Sequence, residues 1–345
     1  MEPYDVIVIG GGQSALATGY YLRRTALRYV MLDREEAPGG AWQHAWDSLT
    51  LFSPALWCSL PGVIMPGGKE HYPGKQEAVD YLAAYEERYR LPVIRPVEVK
   101  RVSKENGLFV VHTNGDTYYA KAVVSATGSY HSPIMPDIPG REVFKGRVLH
   151  SAEYMGPSGF SGKRVAVVGE GNSGAQILAE LSAVTDTLWI TRNAPEFLPD
   201  HVDGKYLFDA ATQLYEAKQR GEELQPPSLG HIVMVPAVKE ARERNVYKTW
   251  LPPFDTFTPG GIAWKDGRKE QADIVIFCTG FKPTLSHLAP IFNGHKIATK
   301  GTRALEADGL WLVGYGSWTG FASATIIGVG RTAKRTVEEI AAFIQ

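Results

Sequence analysis

Cysteine is nearly missing from this chain. Its 345 residues contain two, Cys58 and Cys278, which excludes a disulfide framework, a CxxC redox pair and a thiolate-held metal cluster. No run of about 18 apolar residues occurs, so nothing is expected to span a bilayer. Charge of either sign is not in excess either. With 36 Lys and Arg against 37 Asp and Glu, the formal charge is −1, and no general attraction to nucleic acid or an anionic membrane surface is expected. Low-complexity tracts are absent. The first strand-like run, Val6-Ile-Val-Ile9, is too short for the core of a secretion signal and has no basic leader. A cytoplasmic location is the simplest expectation.

What the chain has is a repeat. Val6-Ile-Val-Ile9 runs into Gly10-Gly-Gly-Gln-Ser-Ala15, a helical stretch to about Arg24, and the strand Tyr29 to Asp33. Arg164-Val-Ala-Val-Val168 runs into Gly169-Glu-Gly-Asn-Ser-Gly174, a helical stretch to about Ala183, and the strand Thr187 to Arg192. Each reads as strand, glycine turn, helix, strand. Each unit continues through a hairpin signal, Asn114-Gly115 or Asp266-Gly267, to an apolar strand closing on a Thr-Gly turn, Ala126-Thr127-Gly128 or Cys278-Thr279-Gly280. Two insertions decorate this scaffold. The first runs from Trp42 to about Leu91 and ends in a helix near Gln76–Tyr89; the second runs from Glu196 to about Gly260, with helices near 209–220 and 238–244.

A lone GxGxxG pattern decides little in a chain with 36 glycines. Here Gly10-x-Gly12-x-x-Ala15 and Gly169-x-Gly171-x-x-Gly174 each follow an apolar strand and open a helix. That context suits a pyrophosphate held at a helix N-terminus, where N–H groups are free and the backbone can approach closely. Gln13 and Ser14 in the first unit, and Asn172 and Ser173 in the second, sit in the first helical turn. The end of the second strand is more informative. Asp33 lies 23 positions after Gly10, and Arg192 lies 23 positions after Gly169. An acid in that slot accepts hydrogen bonds from a ribose diol and repels a 2′-phosphate. An arginine can pair with one, with Asn193 adding a weaker bond. The first unit is therefore expected to take FAD and the second NADP(H).

Between the units stands Phe144-x-Gly146-x-x-x-His150-x-x-x-Tyr154. This pattern resembles the fingerprint of the class B flavoprotein monooxygenases, the flavin-containing and Baeyer–Villiger monooxygenases. Gly39-Gly40-Ala-Trp42 is similar to the family's GGxW segment, and the two Thr-Gly turns match its own. The likeness covers nearly the whole chain, and Leu49–Pro54 with Leu60-Pro61-Gly62 resembles a short bacterial subgroup. It implies that NADPH, with NADH open as an alternative donor, reduces FAD, and that one oxygen atom of O2 passes through a flavin hydroperoxide to a sulfide, another heteroatom or a ketone. It also implies His150, Tyr154 and the pair Phe52 and Ser53, which stand where many relatives carry an asparagine, as candidate catalytic residues. Gly314-Tyr315 replaces the Gly-Asp usual in flavin-dependent disulfide reductases and dehydrogenases, the main alternative reading. A non-catalytic flavin-binding protein would leave the second nucleotide site unexplained.

The fold expected is α/β, with two Rossmann-like dinucleotide-binding domains: FAD on 1–156 plus 282–345, and NADP(H) on 157–281. Small-molecule substrate and O2 are the expected partners, with a homodimer left open. Trp42, Phe52, Trp57, Tyr206, Phe208, Trp318 and Phe321 are candidates to line a dry pocket over the flavin. No metal is expected, because His44, His71, His201, His231, His287 and His295 are scattered along the chain.

Overall fold

The computed structural model describes residues 2–199, 206, 209–210, 213, 217, 220–225, 232–292 and 295–345. Along the chain come β1 (Tyr4–Ile9), α1 (Gln13–Leu22), β2 (Tyr29–Leu32), α2 (Lys75–Tyr89), β3 (Val93–Ile94), β4 (Val99–Glu105), β5 (Leu108–Thr113) and β6 (Thr117–Ser125). There follow β7 (Arg147–His150), β8 (Arg164–Val168), α3 (Asn172–Leu181), β9 (Asp186–Ile190), α4 (Pro236–Glu243), β10 (Thr256–Thr258), β11 (Gly261–Ala263), β12 (Lys269–Gln271) and β13 (Ile274–Phe277). The chain closes with β14 (Thr299–Lys300), β15 (Arg303–Ala304), β16 (Leu310–Leu312) and a long helix, α5 (Ile326–Ile344). The helix expected near 209–220 falls largely outside the described residues, as do Phe208, His201 and His231.

The strands make two main sheets. In the first, β16, β6, β1, β2 and β3 run parallel in that order, with β4 and β5 attached to β6 as an antiparallel hairpin. In the second, β7, β13, β8 and β9 are all parallel. A parallel strand covered on both faces should be continuously apolar, and Val6–Ile9 and Ile274–Phe277 are buried without a break. The third sheet, β10–β11–β12, is a small antiparallel meander built on the Asp266-Gly267 turn.

The C-terminal helix returns to the first unit. Ile326, Val329, Ala333, Val337 and Ile340 form one buried stripe packed in the same core as Ala15, Leu16 and Tyr20 of α1, the spacing of an amphipathic helix. Thr325 caps it, its Oγ1 accepting from the Gly328 N–H at 3.0 Å, a bond type worth about 1 kcal/mol.

One boundary differs from expectation. A change of unit at 157 places Arg147–His150 with the first sheet, but β7 pairs with β13 in the second. Gly146 permits this: a Cβ there would lie 2.2 Å from the Asp273 carbonyl oxygen, so only glycine lets the chain pass so close to the start of β13.

Candidate functional site

The two glycine turns are built alike. Gly10 has φ +118°, and a Cβ on it would lie 2.6 Å from the Ala126 carbonyl oxygen; Gly169 has φ +137°, with Cβ at 2.4 Å from the Cys278 carbonyl oxygen. Both positions thus need a residue without a side chain, because each turn is tucked beneath the Thr-Gly turn ending the neighbouring strand. Gly12 and Gly171 cap α1 and α3 with no side-chain bond, so the first N–H groups of both helices stay free for an anion.

In the first unit these groups open into a cavity of about 400 Å³. Gly10, Gly12, Gln13, Ser14, Asp33, Gly40, Trp42, Ala126, Thr127, Gly128 and Gly314 all line it, joined across the unit boundary by Ser173 and Phe281. Gln13 is tied on both sides: its Nε2 donates to Ala324 O at 2.6 Å and its Oε1 accepts from Trp42 Nε1 at 2.9 Å. Gly314 lies so close to α1 that a Cβ would meet Ser14 Oγ at 2.0 Å.

Asp33 is 3% exposed and does not stand alone. Arg95 Nε donates to its Oδ2 at 2.7 Å, and the same guanidinium grips Glu86 through two further bonds of 2.6 and 2.7 Å. Burial pushes the Asp33 carboxyl up and Arg95 pulls it back. Two carboxylates against one guanidinium leave the cluster with a charge of −1, so the slot still disfavours a phosphate.

Tyr315 does not line the cavity; it braces the Thr-Gly turn from behind. Its hydroxyl accepts from Thr127 N–H at 3.2 Å and is shared with Thr127 Oγ1 at 2.8 Å and Ser125 Oγ at 2.7 Å, while Ser125 Oγ meets His287 Nε2 at 3.1 Å. His287 is neutral in this network because burial pushes its imidazole down to about 4. A folded value below the ordinary one means that the stability is fully present above about pH 6.5 and lost as the pH falls toward 4. The loss amounts to roughly 3 kcal/mol at about 1.36 kcal/mol per unit. Urea unfolding of the flavin-loaded protein at pH 7 and pH 4.5 should show His287→Gln losing less stability between the two than the parent; equal losses would remove His287 from the acid response.

The second unit has the corresponding turn. Asn172 Oδ1 accepts from Val233 N–H at 2.8 Å, and Gly174 packs over the Gly169 carbonyl. Arg192 stands just past β9 with its side chain 82% exposed, and Asn193 follows it. Thr279 Oγ1 donates to Ile134 O at 2.6 Å, and Gly280 O accepts from His150 Nε2 at 3.1 Å. Burial pushes the Cys278 thiol up to about 12, and that of Cys58 likewise. Neither is a thiolate at neutral pH.

The candidate catalytic residues lie in the joint between the units. His150 is 1% exposed; Nδ1 accepts from Ala152 N–H at 3.1 Å while Nε2 donates to Gly280 O, so both nitrogens are occupied. Tyr154 is 1% exposed and donates to Glu180 Oε2 at 2.7 Å. Phe52 packs into the core of the second unit, and Ser53, 4% exposed, accepts from the Cys58 thiol through its carbonyl. None of the four lines the cavity.

Several residues that the sequence did not single out hold this joint. Gln176 of α3 pairs its amide with both backbone groups of Thr50, at 3.2 and 3.1 Å. Tyr130 stacks between His44 and Phe281, and the Phe281 ring meets His150 edge-on. His44 has a carboxylate and a second histidine beside it. Glu35, His44 and His131 bring their ligand atoms within 4.8 Å of one another, with His44 donating to Glu35 at 2.8 Å and His131 at 3.2 Å. The aromatic candidates disperse instead: Trp42 lines the cavity, Trp318 and Phe321 line a different one, and Tyr206 is exposed.

Two sheets with parallel cores, each with a glycine turn tucked under a Thr-Gly turn, are the architecture of oxidoreductases that hold two dinucleotides. A family model described as pyridine nucleotide-disulphide oxidoreductase matches residues 7–219. The chain belongs to that family and, within it, to the flavin monooxygenases. It is 47% identical to a flavin-containing monooxygenase from Stenotrophomonas maltophilia, each chain covered completely, with a TM-score of 0.90. An uncharacterised CzcO-like oxidoreductase of Geobacillus kaustophilus is 31% identical over 97% of this chain and 98% of its own. An indole-3-pyruvate monooxygenase of Oryza sativa is 25% identical over 97% of this chain and 86% of its own. The protein is therefore an oxidoreductase with a flavin cofactor. Among the described residues, no helix is long and apolar enough to cross a membrane.

Proposed function

We propose that the first unit holds FAD, that the second holds NADPH, and that the protein transfers one oxygen atom from O2 to a small soft nucleophile such as a sulfide, or to a ketone. The observation that carries this reading is the first cavity. It joins a free helix N-terminus, an acidic ribose slot and the Trp42 loop on one side to Ser173 and Phe281 of the second unit on the other. When bound, the flavin accepts hydride from the nicotinamide and activates O2; that chemistry belongs to the cofactor.

The protein's own residues position and enclose. Backbone N–H groups at Gln13 and Ser14 would hold a pyrophosphate, and Asp33, held by Arg95, would accept from ribose hydroxyls. Trp42, Trp46, Leu49 and Phe281 give the cavity an apolar wall that limits water. His150 and Tyr154 act as positioning residues: the first fixes the Gly280 turn, and the second fixes α3 through Glu180. Phe52 fixes the insertion against the second unit, and Ser53 holds the insertion together internally through Cys58. The domains divide as the two sheets do, with FAD on the first and NADP(H) on the second. With both thiols protonated and no cysteine pair, dithiol exchange has no nucleophile here.

Purified protein should be yellow, and acid extraction should release FAD, not FMN, at about one per chain, as a two-part pyrophosphate and ribose site requires. Colourless protein that takes up no flavin when FAD is added would remove the basis of the proposal.

A further inference from the structure

The two units differ at the residue between the first two turn glycines. In the first unit it is Gly11, where a Cβ would lie 2.2 Å from Asp33 Oδ2 and 2.8 Å from an Arg95 guanidinium nitrogen. Asp33 thus leans over the turn into the space that a side chain would need. In the second unit the same position is Glu170. Its Oε2 accepts from the Arg192 backbone N–H at 2.7 Å, and its Oε1 lies 3.7 Å from Arg192 Nε and 3.4 Å from Asn193 Nδ2. Each slot at the end of a second strand therefore contains a carboxylate. In the first unit the strand end supplies it, and in the second the turn does.

We propose that Glu170 is a specificity-determining residue of the nicotinamide site, its carboxylate accepting from the adenosine ribose of NADH and opposing the 2′-phosphate of NADPH, so that the site serves both dinucleotides. The inference rests on reading the second unit as the NADP(H) site. A carboxylate can accept from a ribose diol but repels a phosphate, which is itself an anionic acceptor. Arg192 does the reverse. The carboxylate is fixed by its short bond to the backbone, whereas its contact with the guanidinium is long and the arginine side chain is mostly exposed. Arg192 can therefore swing to a 2′-phosphate without carrying Glu170 out of the slot, and the two charges oppose each other over one ligand position.

The test is calorimetric titration of the flavin-loaded enzyme with NADP⁺ and with NAD⁺, in parallel with initial rates for NADPH and NADH. Glu170→Gln keeps the size and an acceptor for the Arg192 N–H but removes the charge. It should tighten NADP⁺ by about fivefold or more and weaken NAD⁺ by a similar factor, in line with the loss of one charge-assisted contact. Glu170→Gly, which copies the first unit, should shift the preference in the same direction and guards against a particular failing of the glutamine variant. Equal effects on both dinucleotides, or none on either, would overturn the proposal. Arg192→Ala separates the two levels. If it weakens NADP⁺ selectively while the Glu170 variants do not discriminate, the proposal alone fails. If it does not discriminate either, the assignment of the second unit to NADP(H) fails with it.

Discussion

Gly12→Ala should yield a protein that folds like the parent yet loses most of its hold on FAD. The backbone at Gly12 has φ −82°, which alanine adopts freely, and the nearest atom to an added Cβ is Gly40 Cα at 3.7 Å, an ordinary contact. Nothing in the protein opposes the methyl group. It projects where the backbone must approach a pyrophosphate, and a displacement of even one ångström there forfeits the short N–H contacts. The expected result is a thermal midpoint of the apoprotein close to the parent value with FAD affinity reduced roughly a hundredfold, about the worth of one strong charge-assisted bond. Gly10→Ala is the contrast. Its Cβ would meet the Ala126 carbonyl oxygen at 2.6 Å with φ +118°, so it should destabilise the fold as well as empty the site. Equal FAD affinity in Gly12→Ala and the parent would move the cofactor away from this turn.

Arg192→Ala should raise the apparent KM for NADPH by roughly tenfold, at the low end of the 1.5–3 kcal/mol typical of charged hydrogen bonds because the side chain is so exposed. KM for NADH should change little, and kcat at saturation should hold, since the contact lies far from the transferred hydride and is equal in ground and transition states. Steady-state kinetics with both dinucleotides decides the matter. Equal weakening of both would make Arg192 structural.

How far the sequence carries these arguments depends on the range of each signal. The turns at Gly10 and Gly169, the strands before them and the hairpins at Asn114-Gly115 and Asp266-Gly267 are local. Their patterns need only a few neighbouring residues, and the structure has them where the spacing puts them. Partners far apart in sequence were not readable. Arg95 reaches Asp33 from 62 positions away, Gln176 pairs with Thr50 from 126, and His131 joins Glu35 from 96. No periodicity relates such residues. Glu170 is the instructive case, since comparing the two strand ends suggested acid in one slot and base in the other. In the folded chain the turn residue brings an acid into the second slot too. The bonds of motif residues are likewise not legible in the motif. His150 and Tyr154 stand out in sequence, but their polar atoms are spent on Gly280, Ala152 and Glu180.

The central claim, oxygen transfer at the first cavity fed by NADPH at the second turn, is tested most directly with isotopic dioxygen. FAD-loaded enzyme, NADPH and ¹⁸O₂ are incubated with a panel of aryl and alkyl sulfides and cyclic ketones, and NADPH oxidation, hydrogen peroxide and organic products are measured together. At least one member of the panel should yield an oxygenated product carrying a single ¹⁸O atom, with hydrogen peroxide falling as that product rises. Hydrogen peroxide formed one for one with NADPH oxidised, with no label in any organic product, would contradict the account and leave a flavin-dependent NADPH oxidase.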